Sequence, residues 1–170
     1  MGAGVHGGFG ATKGSYHNKK IIDKTVKNQK DPNYTREQLI NFLVGKTSQS
    51  TRIAEDIKNG KIMLSVLGDE FFDKAFTDGK NAIALAKGNK IYLRRSSASI
   101  FSDMVHEGTH ALDYLSGIPE SQISTWKGEI RAYTAEHHFQ KAAGLTVEHA
   151  NEDDIQVFVW SNYKNGGNKL

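Results

Sequence analysis

His106 and His110 stand four residues apart, and Glu107 follows the first of them, in Val105-His106-Glu107-Gly108-Thr109-His110-Ala111-Leu112-Asp113. On an α-helix that spacing puts both imidazoles on one face. Two ring nitrogens so placed can hold one Zn²⁺ at about 2.0–2.1 Å each. Glu107 lies one position round from His106, beside such an ion rather than on it. A carboxylate there can take a proton from an activated water and pass it to a leaving amine. The chemistry these three residues suggest is metal-assisted hydrolysis of a peptide bond.

The helix that carries them has two sides. One reads Asp103, His106, His110, Asp113 and is polar throughout; the other reads Phe101, Val105, Leu112, Leu115, with Ile100, Met104 and Ala111 beside it. The expectation is a wet, ligand-bearing face and a dry face packed on a core. Gly108 costs about 1 kcal/mol against alanine in a helix interior. It points to a close approach by another backbone, a substrate or a tightly packed neighbour.

A catalytic zinc needs a third protein ligand and one open position. The next long helix offers Glu129, Tyr133, Glu136 and Gln140 as a polar stripe, with Ala132, Ala135, Phe139 and Ala142 opposite. Glu129 is the first choice for the ligand. Glu136 is the alternative, and His137 or His138 stand behind it. Asp113 is a candidate to accept the second ring proton of a ligating histidine. Tyr133 is a candidate donor to the oxyanion of a tetrahedral intermediate.

The elements around these helices are legible from local signals. Thr35-x-x-Gln38 is a capping box that opens a helix over about 35–44, stopped by Gly45. A second helix spans about 49–58 and stops at Asn59-Gly60. Residues 61–67 read as a strand, and Phe71, Phe72 and Phe76 as a partly helical connection packed on the core. Residues 82–87 and 90–94 flank Gly88-Asn89 as a hairpin. The histidine helix covers about 98–116, with Ser97 or Ser99 as cap and Gly117 as stop. The next covers 126–143, from Thr125 to Gly144. Asn151 opens a last segment, read as helix although Ile155–Trp160 is rich in strand formers.

Length and composition bound the rest. The chain has 170 residues, enough for one core, and no apolar run that would span a bilayer. It has no cysteine, which excludes thiol catalysis, disulfides and thiolate-bound zinc. No secretory signal peptide is expected, since the start is glycine-rich and polar. Residues 1–30 carry six lysines and one aspartate, a net +5 in a chain of net +3. They read as a glycine-rich, basic arm or linker, and 31–170 as the catalytic domain. Gly2-Ala3-Gly4-Val5-His6-Gly7 matches a dinucleotide fingerprint in letters only, with no strand before it.

His106-Glu107-Gly108-Thr109-His110-Ala111-Leu112-Asp113-Tyr114, followed by Glu129-Ile130-Arg131-Ala132-Tyr133, resembles the gluzincin pattern of HExxH plus a downstream glutamate. Within that group it looks most like the metallopeptidase toxin domains of bacterial polymorphic toxins. It is more distantly similar to the catalytic domain of anthrax lethal factor. The start, His6-Gly7-Gly8-Phe9-Gly10-Ala11-Thr12-Lys13-Gly14, looks like a junction to a longer delivery protein. The resemblance implies zinc held by His106, His110 and Glu129, with Glu107 as general base and then acid. It implies an α+β, zincin-like fold, a small mixed or antiparallel sheet over two helices. The strand at Lys90–Arg94 is the candidate edge for a peptide substrate. It also implies a chain secreted or delivered into a target cell as part of a larger toxin, and a cognate immunity protein as partner.

Two other readings compete. One is a catalytically degenerate zincin fold that binds proteins. The other is a nuclease-type toxin using the basic arm and His17-Asn18; no paired-carboxylate motif for magnesium supports it, and no nucleic-acid partner is expected.

Overall fold

Every residue from Ile100 to Leu112 is buried, so one helix forms the centre of the molecule. The computed structural model describes residues 33–76, 82–123 and 125–163. The proposed arm at 1–30 lies outside the described residues. In chain order the elements are α1 (Arg36–Leu43), α2 (Ser48–Lys58), β1 (Met63–Leu67), α3 (Asp69–Ala75), β2 (Ala84–Lys87), β3 (Lys90–Arg94), α4 (Ile100–Leu115), α5 (Glu120–Ile123), α6 (Trp126–Ala143) and α7 (Glu152–Tyr163). The class is α+β with a three-stranded mixed sheet.

Local chemistry sets the ends. The Thr35 hydroxyl accepts from the Gln38 N–H at 3.1 Å, and the Gln38 side chain accepts from the Thr35 N–H at 2.9 Å. Thr47 and Ser50 repeat the device at the start of α2. Gly144 ends α6 in the left-handed region at φ 69°, where a side chain would be strained. Ser99 and Thr125 stand at the N-cap positions of α4 and α6, but neither side chain caps its helix. Ser97 and Ser99 instead donate to the carboxylate of Asp103.

The sheet order is β1-β3-β2. β3 pairs antiparallel with β2 through the hairpin and parallel with β1. Lys90–Arg94 is therefore the central strand and not an edge. The hairpin alone leaves β3 one free side, and that side is taken by β1. One face of the sheet, with Leu64, Ala84, Ala86, Ile91 and Leu93, packs into the core shared with α1, α2 and α4. The other face is covered by Phe72 of α3 and by Phe76, the residue that ends it, against Leu67, Leu85 and Tyr92. Phe71 points away from that cluster and is 70% exposed. Arg94 holds α3 down, donating to Asp69 and Asp73 and lying 4.5 Å over the Phe72 ring.

α4 packs along α6. Ser102 meets Gln140, His106 meets Glu136 and His110 meets Glu129. Rising numbers on one helix meet falling numbers on the other, so the two are antiparallel. α7 packs on α6 and forms with it a separate small cluster: Ile155, Val159 and Tyr163 with Tyr133, Trp126, Ile130 and Phe158.

Two glycines allow close approach. A Cβ on Gly108 would stand 2.7 Å from Cγ2 of Ile53, so the gap serves a side chain of α2 rather than a substrate. A Cβ on Gly128 would stand 1.7 Å from the Ile123 carbonyl oxygen. That oxygen is backbone and cannot swing aside. Gly128→Ala is expected to cost at least about 1–3 kcal/mol, the range for overpacking. Because Glu129 is the next residue, its carboxylate should be displaced as well. Thermal unfolding of the two proteins checks the cost.

A candidate metal centre of two histidines and a glutamate

The polar stripe of α4 is not a wet face. Asp103, His106 and His110 are 3%, 6% and 1% exposed. The two histidines face the polar stripe of α6, where Glu129 is 0%, Glu136 3% and Gln140 1% exposed, while Asp103 is held by Ser97 and Ser99. Two amphipathic helices thus meet polar side to polar side. Buried polar groups cost free energy unless they are paired or hold an ion, so the meeting needs a reason.

Its geometry supplies one. Nε2 of His110 lies 3.2 Å from Oε1 of Glu129, and Nε2 of His106 lies 3.4 Å from its Oε2. Atoms sharing a tetrahedral ion at about 2.0–2.1 Å stand roughly 3.3–3.4 Å apart. The ligand atoms of His106, His110 and Glu129 all fall within 4.8 Å of one another. Both rings present the same nitrogen, as two ligands i and i+4 on one helix should. The donor set fits a divalent ion.

The other nitrogen of His106 is also engaged. Nδ1 lies 3.0 Å from Oε2 of Glu136. Glu136 Oε1 accepts from Gln140 Nε2 at 3.3 Å, and Gln140 Oε1 accepts from the Glu148 N–H at 3.1 Å. Glu136, the alternative third ligand in the sequence, is placed instead behind His106, where it fixes the ring and its tautomer. Asp113, the sequence candidate for that task, pairs with Arg131 Nε at 2.8 Å, and the His106 Nδ1 contact is made by Glu136. Glu136→Gln keeps an acceptor but removes the charge. It should weaken metal affinity about 10–100-fold, measurable by competition with a chelating dye.

The electrostatics describe a centre in want of a cation. Burial works most strongly against a charge on His106, yet the hydrogen bonds and fields of Glu129 and Glu136 together hold its pKa well above the ordinary value. Burial pushes the Glu136 carboxyl up to about 7, against the pull of His106. Two carboxylates thus face one ring. A divalent ion between His106, His110 and Glu129 would balance them better than one proton does.

No family model matches the chain, and no curated protein or solved structure matches it. The case for the centre therefore rests on its own geometry.

The remaining sequence candidates fall as follows. Glu107 is 4% exposed and its charge acts on Glu136 and on Tyr163. The Tyr133 ring stacks edge-on against His106, 4.5 Å between centroids. Burial holds its hydroxyl well above the usual phenol range, with Tyr163 adding to the effect. His138 is exposed and pairs with Glu152 at 2.8 Å; neither it nor His137 joins the trio. Three neighbours escaped the sequence reading: Tyr163, Glu148 and His149. Tyr163 comes from α7 and interacts with the Tyr133 hydroxyl. His149 lies 5.7 Å from the Tyr133 ring. All three come from the last 25 residues, where no motif flags them.

Proposed function

We propose that this chain is a zinc-dependent metalloendopeptidase of zincin type. The observation that carries the reading is the trio itself: two imidazole nitrogens and a carboxylate at ligand spacing, with Glu107 next to a ligand on the same helix. Three protein ligands leave a fourth position open, which separates a catalytic zinc from a structural one.

Zinc bound there would supply Lewis acidity toward water and the scissile carbonyl. Glu107 accepts the proton of the attacking water and returns it to the departing amine. Its low exposure keeps bulk water from competing for that proton. Glu136 holds His106 in one orientation. Tyr133, whose ring lies against that of His106, is the residue we assign to donate to an oxyanion. With β3 central, β2 and β1 are the strands with an unpaired side among the described residues, and β2, beside α4, is the better candidate to take an extended peptide.

The motif resemblance supports a narrower proposal: a toxin domain of a secreted effector that cleaves a protein in a target cell, with an immunity protein as its inhibitor. No described helix is long and apolar enough to cross a membrane. Incubating the zinc-loaded chain with a peptide library and reading new termini by mass spectrometry tests the activity. Cleavage that needs zinc and Glu107 supports it. A zinc-loaded chain that cuts nothing would sink the peptidase.

A further inference from the structure

The centre that should meet a peptide is closed. His106, His110, Glu107 and Glu129 are 6%, 1%, 4% and 0% exposed. A peptide carbonyl cannot reach atoms so covered. α4 and α6 account for two sides of this enclosure. The third contribution comes from the end of the chain: Tyr163, the last residue of α7, is 0% exposed. Its hydroxyl interacts with that of Tyr133, and Glu129 and Glu107 act on it electrostatically. Tyr133 in turn touches both His106 and Phe158 of α7.

α7 is attached in a way that lets it leave. Its buried residues, Ile155, Val159 and Tyr163, belong to a small cluster on α6, separate from the core around α4. Elements with few apolar contacts open at lower free energy than the core. On its outer side Val157 is 67% exposed, and Trp160, 55% exposed, meets α6 only at the rim, against Trp126.

We propose that α7 is a movable cover over the His106–His110–Glu129 centre, seated by Tyr163 and Val159, and that it swings off α6 to admit substrate. The cover builds on the metal-centre reading but not on the peptidase activity.

The chain lacks cysteine, so a pair can be introduced cleanly. Trp126 of α6 and Trp160 of α7 touch edge-on at 5.7 Å between centroids and belong to neither ligand set nor catalytic group. Trp126→Cys with Trp160→Cys, in the full chain, would be joined by a bismaleimide with a cleavable disulfide spacer. Diethyl pyrocarbonate labelling of the chelator-treated protein then reports access to His110, with exposed His138 as internal control. Linking should slow labelling of His110 at least tenfold and leave His138 unchanged, and cleaving the spacer should restore the rate. Equal rates at His110 in linked and cleaved protein would overturn the cover. Val159→Ala, which loosens α7 without a linker, should speed labelling of His110; no change there would count against the proposal equally. Peptide hydrolysis is followed in parallel. Its absence from every form, with labelling still gated, would remove the peptidase and leave the cover standing.

Discussion

Glu107→Gln is expected to bind zinc as the wild type does and to hydrolyse peptides about 10²–10⁴-fold more slowly, the usual contribution of a positioned general acid–base. The isosteric amide keeps the volume of a side chain that is 4% exposed in the most buried of the described helices, so the fold should hold. What it loses is the capacity to take and return a proton. The affinity for zinc should change little, because Glu107 is not among the three ligands. Comparison of kcat and of zinc content in the two proteins checks the claim. Full activity in a zinc-loaded Glu107→Gln protein would mean that the proton is managed elsewhere.

Glu129→Ala should act on the metal itself. It removes the one carboxylate that faces both Nε2 atoms, at 3.2 and 3.4 Å, and leaves two histidines to hold the ion. The loss of affinity should exceed the roughly 100-fold upper limit for a partner behind a ligand, so it should be larger than that of Glu136→Gln. The difference also shows in stability. Zinc at a hundredfold excess over Kd adds about 2.7 kcal/mol to the folded state. For a chain of this size that raises Tm by about 5–10 °C. The wild type should show that rise, and Glu129→Ala should show none at the same zinc concentration. Equal rises in both would move the third ligand away from Glu129.

How much of this was legible in the sequence depended on how local each signal was. The capping box of Thr35 and Gln38, the hairpin at Gly88-Asn89 and the stop at Gly144 are set by neighbours within a few residues, and the structure has all three. The position of β3 was not legible. Its second partner, β1, pairs Met63 with Lys90 across 27 positions, and no local pattern announces a parallel pairing at that distance. The histidine spacing was visible, but not what covers it. A polar stripe on α4 reads as solvent-facing until a second polar stripe on α6 is known to oppose it. Which acid then serves which ring follows from helix register. Glu136, two turns past Glu129, comes level with His106, whereas Asp113 pairs with Arg131. Gly108 carried a signal of close approach whose partner, Ile53, is 55 residues away. Tyr163 carried none, because its role depends on how the last helix folds back.

Zinc stoichiometry of the full chain, read by native mass spectrometry after exposure to a slight excess of metal, tests the central claim most directly. One ion per wild-type chain, absent from His110→Ala and Glu129→Ala proteins that remain folded, is the result the geometry predicts. A wild-type chain that takes up no zinc would contradict it, since two buried imidazoles and a buried carboxylate at ligand spacing would then have some other purpose.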